Sequence, residues 1–208
     1  MKKIILAAVA ALGLASAASA ATYTVNVTAN PFRAPGQPGL QTRAWILSSR
    51  GAQNFNGANF NFNLTSPGQS QTVDLFGLVH FDAPLNADDL IHSPSTVTLN
   101  MGALGTQTIN GETYGVGTPG QPYASAFAHY LNTVSFNIGG GLQIIASLGD
   151  TVFGLNSKGV FTNGRPGFGK VTATFTLATV PVPAGGLLLM GALGGLAATR
   201  RRKAAALI

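Results

Sequence analysis

The sequence predicts an all-β domain, an antiparallel β-sandwich or jelly roll, flanked by an N-terminal signal helix and a C-terminal transmembrane sorting helix. Three observations predict the β fold. Apolar and polar residues alternate in many segments, turn signals recur roughly every 8–12 residues, and helical periodicity is scarce. Of the 208 residues, 46% are hydrophobic and only 9% are charged, so the chain holds enough apolar surface for a buried core.

Strands are expected where an apolar face alternates with a polar, uncharged one. The clearest segments are residues 23–28, 59–64 and 171–177, where Val, Phe or Leu alternates with Thr or Asn. Further strand candidates are residues 44–47, 73–81, 96–101, 134–138 and 142–147. Trp45 is expected in the core, and residues 124–131 form the one helical candidate.

Turn residues separate these segments. Asn110-Gly111, between residues 106–109 and 112–116, predicts a two-residue hairpin. Gly139-Gly140-Gly141 and Gly149-Asp150 each link two further strands. Because no repeat of 20–50 residues is visible, a propeller or solenoid is excluded.

The first 20 residues predict a Sec signal peptide. Lys2 and Lys3 precede an apolar stretch over residues 4–14, which is too short to span a bilayer. Ala18-Ser19-Ala20 forms an A-x-A cleavage site, so the mature chain is expected to begin at Ala21. The expected partners are the Sec translocon and signal peptidase.

The last 29 residues, 180–208, combine three features. Val180-Pro181-Val182-Pro183-Ala184 precedes an apolar run that ends at Thr199, and a basic cluster follows. The cluster is Arg200, Arg201, Arg202 and Lys203. It predicts a membrane stop with the basic end in the cytoplasm. Either this tail is removed by a protease or it stays as a permanent anchor in the inner membrane.

This three-part tail resembles the PEP-CTERM sorting signals of Gram-negative bacteria, in the variant written VPLPA. Val182 replaces the usual Leu, and residues 204–208 extend beyond the basic cluster. The resemblance implies an exosortase-type protease as partner, and a transient stay in the inner membrane. It also implies a link to exopolysaccharide and biofilm export, with release to the cell surface or extracellular matrix.

The intervening body, residues 21–179, is expected to be one β-rich extracellular domain. Residues 78–85 and 150–154 resemble the surface domains called choice-of-anchor, of the K type. Those domains also join an exported β-rich body to interchangeable C-terminal anchors.

Charge and composition exclude several function classes. The net charge of +6 comes from Lys2, Lys3 and the C-terminal basic cluster, while six basic and six acidic residues balance in the body. The body therefore has no basic stripe of the kind that predicts nucleic-acid binding. The chain has no cysteine, which excludes thiolate metal sites and Cys nucleophiles. No cofactor is expected.

Known catalytic motifs are absent or incomplete. Residues 164–170 match a phosphate-binding loop, but Val171 stands where Ser or Thr must hold magnesium, so a Gly-rich loop before the last strand is expected. His80 with Asp82, and His92 near Asp88 and Asp89, are the candidates for an acid–base or metal cluster, with His129 as the third histidine. The acids Asp82, Asp88 and Asp89 alone are candidate calcium ligands, or else Asp88-Asp89 begins a helix or a solvated turn.

Tyr114 and Tyr123, on either side of a Pro/Gly-rich loop, are candidate glycan contacts. The neutral Asn and Thr faces suit a hydrated polysaccharide and also self-association. We therefore expect a non-enzymatic secreted or surface protein associated with the exopolysaccharide matrix. The alternatives are a carbohydrate-binding module and an exported β-sandwich hydrolase with an unfamiliar site.

Overall fold

The structure is a computed structural model, which describes residues 21–30, 38–46, 55, 57–81, 84–121, 124–162, 164–180 and 192. The strands, numbered along the chain, are β1 (Ala21–Ala29), β2 (Thr42–Trp45), β3 (Ala58–Leu64), β4 (Ser70–His80), β5 (Ser93–Asn100), β6 (Thr106–Val116), β7 (Ser125–Tyr130), β8 (Val134–Gly139), β9 (Leu142–Leu148), β10 (Thr151–Phe153) and β11 (Gly169–Thr179). Short 3-10 helices cover Asp88–Leu90, Gly102–Leu104 and Arg165–Gly167.

These strands form two curled antiparallel sheets. Sheet A has the order β10-β7-β6-β5-β1-β3, and sheet B has the order β2-β4-β11-β9-β8. The all-β, β-sandwich-like architecture predicted from the sequence is therefore confirmed for the described residues. The last strand of the chain lies at the centre of sheet B, between β4 and β9.

The two-residue alternation decides which side chains enter the core. In β1, Val25 and Val27 are fully buried, while Thr24 and Asn26, which alternate with them, face solvent. The same pattern holds in β3 and β11, and Phe62 stacks on Phe175 across the two sheets at 4.0 Å. Each sheet contributes its apolar face to one shared core.

The helix predicted over residues 124–131 is wrong, because residues 125–130 form strand β7. Alanines 126 and 128 suggested a helix, but both side chains are buried against the core with Tyr130. Ser125, Phe127 and His129 alternate with them on the outer face. Burial of small residues in a sheet thus outweighed the helix propensity of alanine.

The hairpin predicted at Asn110-Gly111 is also wrong, because both residues lie inside the continuous strand β6. Gly111 does not have a positive φ, so it does not form the turn that an Asn-Gly pair usually makes. Because Gly111 has no side chain, β6 can instead pack closely against His129 and Tyr130 of β7. A Cβ built there would lie 2.7 Å from the His129 carbonyl oxygen and 2.8 Å from Cδ1 of Tyr130.

Both ends of the folded domain lie at one end of the sandwich, here called the lower end. Ala21 pairs with Leu64, the last residue of β3, and the turn that follows donates a hydrogen bond from Gly68 N to the Leu177 oxygen at 2.7 Å. β1 therefore starts where β11 ends. The opposite, upper end contains the end of β6 and the start of β7.

The predicted terminal segments lie mostly outside the described residues. These include the signal peptide with Ala18 and Ala20, the sorting residues Pro181, Val182, Pro183 and Ala184, and the basic cluster Arg200–Lys203. Ala21 opens β1, and Val180 donates its N–H to the Gly141 oxygen at 2.8 Å. Within the described part, no helix is long and apolar enough to cross a membrane.

Candidate functional site

A row of rings crosses the outer face of sheet A at its upper end. His92 stacks on Tyr114 with ring centroids 3.8 Å apart and planes 4° apart. Tyr114 stacks in turn on Phe127, its cross-strand partner, at 6.0 Å and 14°. Val152 of β10 pairs with Phe127 and is 49% exposed. We call His92, Tyr114, Phe127 and Val152 the aromatic strip.

A polar row runs beside the aromatic strip on the same face. His92 Nδ1 lies 3.0 Å from Oε1 of Glu112, and His129 Nδ1 lies 2.8 Å from Oδ2 of Asp150. Glu112 and His129 are cross-strand partners in β6 and β7. Two histidines therefore alternate with two carboxylates in a row that crosses β6 and β7, with His92 directly before β5 and Asp150 directly before β10.

The pKa values of two groups are shifted here, one within the polar row and one beside it. Partial burial alone raises the pKa of Asp150, but hydrogen bonds from His129 and from the Tyr130 backbone N–H outweigh it and lower the pKa below its usual value. Asp150 is thus an ionised hydrogen-bond acceptor. On the core side, burial chiefly, and the charge of Asp150 secondarily, raise the pKa of the Tyr130 phenol.

A turn before β5, held by a buried aspartate, positions His92. Asp89 is fully buried and accepts a hydrogen bond from Asn86 N at 2.8 Å, and Asp88 accepts one from Gly39 N at 3.1 Å. Gly115 of β6 allows this turn to approach, because a Cβ there would meet Leu85 Cδ1 at 2.3 Å. The two aspartates lie in the first turn of a 3-10 helix and hold the loop that carries His92.

The calcium ligands predicted from the sequence stay a prediction. Asp82 lies outside the described residues, and one carboxylate oxygen each of Asp88 and Asp89 accepts a backbone hydrogen bond. In the part of the chain that the structure describes, no three His, Asp or Glu side chains come together as metal ligands.

The three histidines do not form one cluster. His80 is fully buried between the sheets, where its ring stacks on Phe161 at 4.1 Å. His92 pairs with Glu112 rather than with Asp88 or Asp89 as the sequence suggested. Only His92 and His129 reach the outer face of sheet A, with side chains 54% and 45% exposed.

The aromatic side chains predicted for the core and for glycan contact lie only partly where they were expected. Trp45 was expected in the core but is only half-buried, because β2 is an edge strand and Trp45 packs beside Phe81, with ring centroids 5.7 Å apart. Of the two predicted glycan contacts, Tyr114 lies in the aromatic strip, whereas Tyr123 lies outside the described residues.

The glycine-rich segment before the last strand is a structural turn. Arg165–Gly167 forms a 3-10 helix, and β11 begins at Gly169. Lys170, the lysine of the phosphate-loop pattern, forms an exposed ion pair with Asp74 at 2.8 Å. The segment therefore lacks the strand–loop–helix arrangement that a phosphate-binding loop requires.

The lower half of the same outer face has a different chemistry. An open groove of about 440 Å³ lies beside the first half of β1, where β5 has already ended. Its polar lining is neutral: Thr22, Thr24, Asn26, Asn59 and Asn100. Asn26 donates to Asn59 at 2.9 Å and Thr24 donates to Asn61 at 2.7 Å, so these side chains form a hydrogen-bonded surface.

Sequence reasoning missed Phe127, Glu112 and Asp150 as members of the site, whereas His129 was a candidate only for a cluster with the other histidines. Phe127 was hidden by the helix assigned to residues 124–131, and Glu112 by the hairpin assigned to 110–111. A detectable signal was present, because Ser125-Ala126-Phe127-Ala128-His129 alternates small and large residues with the period of a strand.

No family model, curated protein or solved structure matches this chain.

Proposed function

We propose that this chain is the precursor of an exported, non-enzymatic surface or matrix protein that binds polysaccharide through the aromatic strip. The Sec translocon and signal peptidase produce the N-terminus at Ala21. An exosortase-type protease then removes the tail while it crosses the inner membrane. The observation that carries the binding proposal is the stack of His92, Tyr114 and Phe127 on the outer face, where His92 is exposed and the other two rings are half-buried, beside two carboxylates.

The end of β11 supports processing of the tail, because β11 ends at Thr179, directly before the Val-Pro-Val-Pro-Ala segment. Ala21, the residue after the A-x-A motif, is the first described residue and pairs with Leu64 in β1. Cleavage at both sites leaves every described strand intact. Because both strand ends lie at the lower end, a membrane-tethered tail and a processed N-terminus are compatible with one orientation of the domain.

The position of the aromatic strip supports a ligand outside the cell. The strip lies eight residues along β1 and five more along β5 from Ala21, which at about 3.3 Å per residue is roughly 40 Å from the lower end. A domain held at its lower end thus presents the strip away from the membrane.

The chemistry of the strip suits sugars. Flat ring faces offer apolar contact, and adjacent carboxylates and imidazoles accept or donate hydrogen bonds to hydroxyl groups. The Asn and Thr side chains on the lower half of the same face add neutral hydrogen-bonding partners for a longer polymer chain, while Glu112 and Asp150 beside the strip favour a neutral polymer over an anionic one.

Binding is tested with the exported protein and the exopolysaccharide of the producing cells, by mobility in polysaccharide-containing native gels. Tyr114→Ala is expected to weaken retention about tenfold, since an aromatic stacking contact contributes roughly 1–1.5 kcal/mol. Tyr114→Phe keeps the ring and should retain most binding. Thr108→Ala, on the same face of β6 but lower, serves as the matched control. Equal retention of the wild type and the three variants would exclude the strip as the binding surface.

Processing is tested separately by intact mass, measured on protein from the medium and from membranes. The expected species begins at Ala21 and ends near Pro183, in the medium or at the outer surface. A species that runs from Ala21 to Ile208 and occurs only in the inner membrane would show that the tail stays as an anchor and that the protein is not released.

A hydrolase is the second candidate, favoured by one observation. The His129–Asp150 pair, 2.8 Å apart with an ionised carboxylate, has the donor–acceptor arrangement of an acid–base pair. Its signature is release of reducing sugar ends from the polysaccharide, abolished by Asp150→Asn. Binding without product release in the wild type supports the non-enzymatic proposal.

A further inference from the structure

The four edge strands of the two sheets differ in their protection against pairing with another chain. β10 has three residues, and β2 has four and carries exposed Arg43. The ladder between edge strand β8 and β9 has a register shift between Asn137 and Gly139. Short length, charge and bulges are devices by which proteins prevent edge-to-edge pairing.

Edge strand β3 has none of these devices. It has seven residues, contains no charge and no proline, and pairs with β1 in unbroken register from Ala58 to Leu64. Its outer face consists of Asn59, Asn61 and Asn63, whose amides both donate and accept hydrogen bonds.

The backbone of β3 also points its hydrogen-bonding groups outward at these asparagines. Asn63 N donates to the side-chain oxygen of Gln71 at 2.7 Å, so the Asn63 N–H faces away from β1. N–H directions in a strand alternate with a period of two residues. The N–H and C=O groups of Asn59 and Asn61 therefore face the same outer edge.

The pairing of β3 with β1 shows what a further strand would find. On the outer face, Asn26 donates to Asn59 and Thr24 donates to Asn61, at 2.9 and 2.7 Å. Amide and hydroxyl side chains thus already link neighbouring strands by hydrogen bonds. A second copy of β3 offers the same uncharged, alternating set.

We propose that two copies of this chain associate through β3, antiparallel and about a two-fold axis at Phe60. Asn59 then faces Asn61 of the second copy, and the two asparagines exchange backbone hydrogen bonds on both sides of the axis. Asn63 keeps its hydrogen bond to Gln71. The pairing joins two six-stranded sheets into one of twelve strands and places both aromatic strips on one continuous face.

The contact spans only a few residues per copy, so a concentration-dependent dimer is expected rather than a permanent one. The test uses the exported full-domain protein in the processed form recovered from cells, with its mass checked and its molar mass followed by light scattering over a dilution series. The wild type should shift from dimer to monomer on dilution.

Asn61→Lys should reduce the association constant at least tenfold, because it places charges at the paired edge. Thr108→Lys adds the same charge to the same face on interior strand β6 and should leave the dimer unchanged. Unchanged circular dichroism spectra and melting temperatures verify that both variants fold. A monomeric wild type, or equal dimerisation of all three proteins, overturns the proposal.

Single cysteines test the register, because the chain has no other cysteine. Mixing Asn59→Cys protein with Asn61→Cys protein should give a mixed disulfide, since the two positions face each other across the axis. Each variant alone has its two equivalent positions beyond the roughly 7 Å that a disulfide spans, so it should cross-link poorly. Efficient self-cross-linking of either variant, or no mixed disulfide, contradicts the proposed axis.

Discussion

The two ends of this domain distribute rings and polar groups in opposite ways. At the lower end, Phe62 and Phe175 stack inside the core, and hydrogen-bonded Asn and Thr side chains cover the outer face. At the upper end, Tyr114 and Phe127 lie on the outer face, and polar side chains share the interior with buried rings such as Phe153 and Phe161. The fully or nearly buried polar residues of the described chain lie in the upper half: Thr42, His80, Asp89, Ser93, Ser95, Thr113 and Thr151.

This difference separates stability from recognition. An apolar core with stacked rings provides most of the hydrophobic stabilisation, whereas half-buried rings on the outer face forgo part of it and remain available to a ligand. In the upper interior, Thr42 and Thr113 hydroxyls lie 3.4 Å apart across the two sheets, which adds a hydrogen bond between the sheets to the apolar packing of Phe153 and Phe161. The lower end anchors the fold and the upper end carries the candidate site.

The largest expected effect comes from breaking the lower core. Phe62→Ala should reduce the free energy of unfolding by about 3–5 kcal/mol, because it removes a ring stacked on Phe175 and leaves a cavity. Denaturant unfolding measures this loss. The exposed neighbour Asn59→Ala is the control, with a cost below about 1 kcal/mol. Polysaccharide affinity of the Phe62→Ala protein that remains folded should be unchanged, whereas a parallel loss of affinity would link the two ends.

A smaller loss is expected from Gly111→Ala, between the two ends. A Cβ there meets the His129 carbonyl at 2.7 Å, so β6 and β7 must separate, at a cost of about 1–3 kcal/mol. Because His129 belongs to the polar row, we expect weaker polysaccharide binding as well. Thermal unfolding and native-gel mobility measure the two effects, and a protein with wild-type values in both would show that this contact is not tight.

Tyr130→Phe should stabilise the protein by about 1 kcal/mol, since the Tyr130 hydroxyl is buried and has no hydrogen-bond partner among the described residues. The substitution should also change the response to base. Burial raises the pKa of Tyr130, so its contribution is fully present below about pH 10 and is lost as pH rises through the folded-state pKa. Melting temperatures between about pH 9 and 11 should fall less for Tyr130→Phe than for the wild type.

The smallest effect concerns acid. The pKa of Asp150 is lowered in the folded state, so its stabilising contribution is present above the unfolded value of about 3.9 and is lost as pH falls through the folded-state value. From about pH 5 to pH 3, melting temperatures should decrease slightly more for the wild type than for Asp150→Asn. Identical slopes would show that the His129–Asp150 pair does not contribute to stability.

The fold was largely predictable because burial follows the two-residue period that Val25, Phe62 and Phe175 display in the sequence. The wrong predictions concern residues whose local sequence favours one conformation although the structure has another. Ala126 and Ala128 favour a helix in isolation, and Gly111 after Asn110 favours a turn. In both cases contacts between neighbouring strands decided the structure, and such contacts are not local in sequence.

The site was predictable only through Tyr114, His92 and His129, and neither histidine was predicted beside the carboxylate that it contacts. Glu112, Phe127 and His129 became neighbours through the register of β6 and β7, and Asp150 through β10, which follows β9 in sequence but lies in the other sheet. No local pattern encodes that change of sheet.

The central place of β11 in sheet B sets the order of folding. Its residues Gly169–Thr176 pair with β4 about a hundred positions earlier in the chain, and its residues Ala173–Thr179 pair with β9 on the other side. Until β11 has arrived, β4 and β9 have no common neighbour, and sheet B exists only as two separate pieces. Pairings of such long range form slowly. If the chain is exported as proposed above, nearly all of it must therefore cross the membrane before this sheet closes. Loss of β11 alone would leave β4 and β9 without the strand that joins them.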